Sequence, residues 1–306
     1  MILKHHIRSV MALAISGVLT MALAAGTAHA QSVSTSVRTI VGSVGERRTP
    51  GVGSSRLSAA SDSSAARGVS VTASAQASPG VLSTFASGVG ATTFPTFVPG
   101  FSEANASFSD VMVINAEGNV QNGLAFHFLL SASGTVSASA PPGRTVTASS
   151  EYTATYSTPG GSTSTSGGRS TGVEFFVTPE HTINFRPFSR DIGLGFGMIP
   201  IDIIWTREAA GNAGLPVSLS FSSHSWVSFD GGGGFNNGSF DAVSDFGHTL
   251  RWMGLDSVTN ADGTPFTGSF SVTSASGVDY TIPAPGAAGI VLVGCAGGSI
   301  LNRRRR

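Results

Sequence analysis

The sequence predicts an all-β protein, an antiparallel β-sandwich of jelly-roll-like arrangement, on three observations. From residue 69 onward apolar side chains recur at every second position, clusters of Gly, Pro, Asn and Asp interrupt the alternating stretches, and no amphipathic helix of useful length occurs. A helix-linked parallel sheet would need crossover helices that the chain does not offer. No fixed repeat is present, which argues against a propeller or β-helix.

Taken in order, the strands are expected at Val69 to Ala75, Phe108 to Ile114, Leu124 to Leu130, Thr145 to Tyr156, Val173 to Thr178 and Thr182 to Phe185. They continue at Ile199 to Thr206, Val217 to Ser222, Trp226 to Phe229, Phe240 to Val243, Thr249 to Leu255, Phe270 to Thr273 and Val278 to Ile282. Leu124, Phe126 and Phe128 alternate with Ala125 and His127, and Val217, Leu219 and Phe221 alternate with serines, so these six side chains should share one core. Pro141-Pro142-Gly143, Pro159-Gly160-Gly161, Gly231 to Gly234 and Ala261-Asp262-Gly263 supply the turns, because glycine reaches positive φ and proline fixes its own. Residues 31–68, rich in Ser, Arg, Gly and Ala and poor in aromatics, read as a flexible arm preceding a sandwich domain at 69–282.

Charge is unevenly placed. The 17 basic and 17 acidic residues balance, but Lys4, Arg8 and Arg303, Arg304, Arg305 and Arg306 lie at the ends, leaving 11 basic and 17 acidic residues between them, a net of −6. An acidic body argues against nucleic acid or an anionic membrane as its partner. Gly and Ser make up 86 of 306 residues while charged residues reach 11%, unlike an ordinary cytosolic helical enzyme. The one cysteine, Cys295, falls in an apolar tail, so the body must be stable through its core without a disulfide.

Both ends carry addressing patterns. Residues 1–30 combine Lys4 and Arg8, an apolar run from Val10 to Ala25 and the small-residue site Ala28-His29-Ala30, the layout of a secretory signal peptide cleaved by signal peptidase before Gln31. Residues 283–306 begin with Pro283-Ala284-Pro285-Gly286, continue as an uncharged stretch to Leu301 and close on the four arginines. Sixteen residues of helix reach about 24 Å, enough for a short span whose arginines stay cytoplasmic. That tail resembles the PEP-CTERM sorting signal of exosortase substrates in Gram-negative bacteria, with alanine standing where the family's motif has glutamate. The resemblance covers about 25 residues. It implies export, a transient inner-membrane tether, processing by an exosortase near the prolines, and release to the cell surface or extracellular matrix beside exopolysaccharide. The segment from Asp245 through Leu250 and the Ser/Ala/Thr-rich strands before it are similar to other members, which implies a β-rich secreted domain and supplies no catalytic residue. The same tail layout also describes a permanent stop-transfer anchor.

Chemistry-bearing residues are sparse. Gly168-Arg169-Ser170-Thr171-Gly172 spells a nucleophile elbow, yet a strand-like stretch follows it where a helix is required. His127, His181, His224 and His248 have no partner at metal-ligand spacing, and Asp245 with His248 would pair only if the chain turned back there. Asp256, Asn260 and Asp262, and separately Asp230, Asn236, Asn237 and Asp241, are oxygen donors near turns that could suit Ca²⁺, although neither group follows an EF-hand and Asx turn chemistry explains them as well. Trp205, Trp226 and Trp252 would form a sugar-stacking platform if they shared an exposed face. The expectation is therefore an exported, non-catalytic surface or matrix protein without a required cofactor. A Ca²⁺-assisted carbohydrate-binding module is the alternative, and a secreted hydrolase a third reading.

Overall fold

In the computed structural model, residues 31–284 are described, apart from 43, 55–56, 67, 93–98, 119, 121–122, 141–144, 178–182 and 231–237. The expected leader with Ala28 and Ala30, the turns at 141–143 and 231–234, His181, and the tail with Pro285, Gly286, Cys295 and Arg303 to Arg306 lie outside these residues. Among the described residues no helix is long and apolar enough to cross a membrane.

The chain forms β1 (Ser32–Val41), β2 (Val44–Pro50), β3 (Val52–Ser54), β4 (Leu57–Ala66), β5 (Val69–Ser78), β6 (Val81–Thr92), β7 (Gly100–Glu117) and β8 (Leu124–Ala132). It continues through β9 (Thr135–Ser139), β10 (Thr145–Thr158), β11 (Gly161–Val177), β12 (Ile183–Gly193), β13 (Gly197–Trp205), the single turn of helix α1 (Arg207–Ala210), β14 (Leu215–Asp230), β15 (Gly238–Asn260) and β16 (Ser269–Ser274). Two antiparallel sheets result. The first runs β12-β11-β10-β14-β7-β1-β2 with β16 also on β7, and the second runs β13-β8-β15-β6-β5-β4-β3 with β9 also on β15. The pairs β6 with β15, β7 with β14, β8 with β13 and β10 with β11 are nested in sequence and alternate between the sheets.

Residues 31–68 are not a flexible arm: they form β1 to β4, and β1 is hydrogen-bonded on both sides, to β2 and to β7. The strands of the body therefore start well before 69, with β1 at Ser32–Val41 the first of those described. The alternation there is carried by small and hydroxyl side chains. Thr35, Val37, Thr39 and Val41 point inward on β1, Ser58, Ala60 and Ser64 on β4, and the Thr35 and Ser58 hydroxyls hydrogen-bond at 2.9 Å between the two sheets. A pattern read from large apolar residues does not register such a face. For the same reason β6, with Gly88 and Gly90 in it, and the five-residue β9 were unexpected. Gly88 is required by packing, since a Cβ there would lie 2.1 Å from the Phe229 ring. In the other direction, Val278 to Ile282 is no strand; it is an irregular segment with Tyr280 sealed in the core.

The expected core is present. Leu124, Phe126, Phe128, Val217, Leu219 and Phe221 are all buried within one cluster, together with Phe108, Trp205, Phe246, Trp252 and Tyr280. A second, smaller cluster holds Val69, Val71, Val146, Val227, Phe229 and Phe240. Buried hydroxyls link the sheets as well: Thr84 of the second sheet meets Ser223 and Ser225 of the first at 2.9 and 2.8 Å, and Ser150 meets Ser244 at 2.7 Å. Each net bond contributes about 1 kcal/mol, and a shift of one sheet over the other would leave these hydroxyls unsatisfied.

The C-terminal segment closes on the body. β16 takes up β7 at Met112 to Glu117, just past the stretch ending at Ser109 that β1 occupies. The chain then turns so that Tyr280 packs edge-on to Trp252, whose indole N–H donates to the Tyr280 carbonyl at 2.8 Å. Ala284 is 4% exposed; its N–H donates to the Trp252 carbonyl at 2.9 Å, and its own carbonyl accepts from the Arg251 guanidinium. Gly254 permits this approach, for at φ +91° a Cβ would stand 2.8 Å from the Ile282 carbonyl carbon.

Candidate functional site

The inward register of β14 runs through Val217, Leu219, Phe221, Ser223, Ser225 and Val227, so Ser218, Ser220, Ser222, His224, Trp226 and Ser228 face outward. The same parity on β7 turns Phe101, Glu103, Asn105, Ser107 and Ser109 outward, and on β10 it turns out Thr147, Glu151, Thr153 and Thr155. The ladders then assemble these side chains. Trp226 stands directly between Glu103 on β7 and Ser149 on β10, and His224 directly between Asn105 and Glu151.

Glu103 is the centre of this group. One of its carboxylate oxygens lies 3.2 Å from His224 Nε2 and accepts from Asn105 Nδ2 at 3.2 Å, and the other is 3.9 Å from Arg38, which sits over the Phe101 ring at 5.3 Å. The contact with His224 above all holds the Glu103 carboxyl below its ordinary range, against the opposing effect of partial burial; Asn105 and Arg38 add to the lowering. Glu151 accepts from the Ser149 hydroxyl at 3.2 Å. Away from Trp226, the face carries two rows without charge: Ser34, Ser107, Ser222, Thr153 and Ser166, then Ser32, Ser109, Ser220, Thr155 and Ser164, one residue from each of five neighbouring strands. Lateral hydroxyl contacts fix part of them, Ser32 to Ser109 and Ser34 to Ser107 at 2.7 Å each and Thr155 to Ser164 at 3.2 Å.

The three tryptophans are thus separated. Trp205 and Trp252 are 3% and 1% exposed and belong to the core, where Trp205 donates to the Ile114 carbonyl at 3.1 Å. A three-tryptophan platform does not form, because β13 and β15 turn these two side chains inward; Trp226 alone of the three is half-buried on an outer face.

The other expected groups sit apart. Asp262 caps its own turn, accepting from the Thr264 N–H and hydroxyl at 2.9 and 2.6 Å, contacts that lower its carboxyl pKa, and Asn260 donates to the Thr264 hydroxyl at 3.0 Å. Asp256 is exposed on β15 beside Ser257, whose hydroxyl donates to it at 3.4 Å. Asp241 is exposed and Asp245 half-buried on β15, while the side chains of Asp230, Asn236, Asn237 and His248 lie outside the description. Among the described residues no group of three His, Cys, Asp or Glu is placed to hold a metal ion. Ser170 sits in the middle of β11, buried, with its hydroxyl on the Ala148 carbonyl at 3.5 Å, so its surroundings are not those of an elbow. His127 bridges Asp202 Oδ1 at 2.8 Å and the Thr259 hydroxyl at 3.1 Å. That order of groups is the one a nucleophile and base require, but here the Thr259 backbone is paired on both sides, with Ala125 and Pro265, and the line clasps edge strand β13 to its sheet. Of the residues expected to form a sorting motif, Pro283 is exposed and Ala284 buried.

No protein-family model matches the chain, and no curated protein matches it significantly. Glu103, Asn105 and Glu151 were not singled out in the sequence. Their signal was available in the parity of Val217, Leu219 and Phe221, which, carried five residues further, turns Trp226 outward.

Proposed function

We propose that this chain is an exported, non-catalytic protein of the cell surface or extracellular matrix of a Gram-negative bacterium, delivered by signal peptidase and an exosortase-type system and associated with exopolysaccharide. Its body is read as a jelly roll, on the nested pairs β6 with β15, β7 with β14, β8 with β13 and β10 with β11. The observation that carries the reading is the seating of Ala284: the hydrogen bonds of the body reach it, so a chain cut beyond it keeps every contact described above. A sandwich that is stable without a disulfide and survives loss of its tail suits release from a transient tether. Permanent anchoring by the tail is the competing outcome.

Mass spectrometry of the protein from its native host should find a form that begins at Gln31 and lacks the apolar tail. Replacing Arg303 to Arg306 by serine should reduce retention and processing. A released form still carrying Cys295 and the arginines would overturn tail removal.

A further inference from the structure

We propose that the outward face of the first sheet, centred on Trp226, is a binding site for a neutral polysaccharide chain, with Glu103, Asn105 and Glu151 taking the hydroxyls of the sugar stacked on the indole. The inference adds a ligand site to the matrix role proposed above, and its failure would leave export untouched.

The chemistry selects the ligand class. An indole lying on a sheet face offers an apolar platform for the C–H face of a pyranose ring. Around it, Glu103 and Glu151 are acceptors on opposite flanking strands, and the Asn105 amide can both donate and accept. That combination recognises a group rich in hydroxyls with an apolar face, which describes a sugar. Arg38 and His224 are drawn to Glu103, and Glu151 adds a second carboxylate on the other flank, so the groups nearest the indole do not form a cationic patch for an acidic polymer such as a polyuronate or for a nucleic acid. A protein partner is disfavoured because, among the described residues, the exposed large apolar side chains, Val89, Leu194, Met198, Ile204, Phe270 and Ile282, lie off this face.

Continuity makes the ligand a chain and not a single sugar. Four and six residues along β14 from Trp226, beyond the row of Asn105, His224 and Glu151, the two hydroxyl rows run parallel to its own row across five strands spaced about 4.8 Å apart. Each hydroxyl donates once and accepts twice, so the rows can meet successive sugar units in either orientation without a charge to desolvate. Since every member of the rows comes from the sheet ladder, the track is fixed before the ligand arrives and little ordering is needed on binding.

The test is affinity gel electrophoresis of the purified full chain through dextran, barley β-glucan, galactomannan and, as the acidic arm, alginate, with tryptophan fluorescence read in parallel. At least one neutral polymer should retard the protein and shift its emission, because Trp226 is the half-buried tryptophan. Trp226→Ala should weaken that retardation at least tenfold and Glu103→Gln severalfold, with melting temperatures recorded for each. Should Trp226→Ala fold poorly, Ser222→Arg, which puts a bulky cation into the nearer hydroxyl row, should abolish retardation while the melting temperature holds. No retardation by any of the three neutral polymers, retardation by alginate alone, or retardation unchanged in all three variants overturns the site.

Discussion

Glu103 and Asp110 stand seven residues apart on β7, and that odd spacing puts them on opposite faces of the same sheet. Asp110 points inward and is 2% exposed, yet it is fully provided for: the Val111 N–H donates to it at 2.8 Å, the Ser276 N–H at 3.2 Å and the Tyr280 hydroxyl at 2.7 Å, with the Ser276 hydroxyl as a fourth donor. Three of those four come from the segment after β16, more than 160 residues away in sequence. Glu103 points outward and has partners that solvent or a ligand can replace. One strand thus carries a carboxylate that joins the C-terminal segment to the body and another that is available for recognition. Burial and the number of fixed donors separate the two roles, since residue type does not.

The largest expected effect breaks the inner half of this comparison. Asp110→Ala removes one buried acceptor from four donors at once, the Tyr280 hydroxyl and the Val111 and Ser276 groups, and each buried donor that loses its charged acceptor costs about 1 to 3 kcal/mol. A loss of roughly 3 to 5 kcal/mol in urea unfolding at neutral pH is expected, with the segment from Ser269 onward opening first to limited proteolysis. A loss under 1 kcal/mol would show that the latch is not structural.

Tyr280→Phe is the milder cut. Burial foremost, with the negative charge of Asp110 beside it, pushes the Tyr280 phenol far up, so it remains a neutral donor at any ordinary pH. Removing its hydroxyl costs one hydrogen bond to a charged acceptor and keeps the ring against Trp252, for about 1.5 to 3 kcal/mol. In the Asp110→Ala background the same substitution should cost much less, because the hydroxyl has already lost its charged acceptor; a full additional loss there would contradict a shared role.

Much of this arrangement was legible in the alternation of large side chains. Ile199, Ile201 and Ile203 on β13 point inward and carry Trp205 in with them, and Val217, Leu219 and Phe221 do the reverse for Trp226, which falls on the other parity. What the sequence concealed has two physical causes. Inner faces built from Ser102, Ala104 and Ala106, or from Thr35 and Thr39, contribute through close packing and buried hydroxyl bonds, and neither raises local hydropathy. The expected strand therefore began only at Phe108, and Glu103 and Asn105 lay outside it. The second cause is distance along the chain: the contacts of Asp110 with Ser276 and Tyr280 depend on where β16 docks, and nothing local in either segment announces the other.

The smallest effect sharpens the outer half. The folded-state pKa of Glu103 is lowered, so its ionised form contributes stability above the unfolded value near 4.3, and that contribution is lost as pH falls through the lower folded value. Because the side chain is 23% exposed and its charged partners are partly solvated, the contribution is about 1 kcal/mol or less. Glu103→Gln should therefore be slightly less stable than the wild type at pH 7, and the gap should narrow on acidification as pH falls through the lowered folded value and the wild-type carboxyl takes up its proton. Raising the salt concentration at pH 7 should narrow the gap as well, since exposed pairs are screened. Urea unfolding of both proteins across pH 3 to 7 measures it. A gap that stays constant with pH would mean that Glu103 acts through packing alone, and the contrast with Asp110 would then rest on exposure and not on charge.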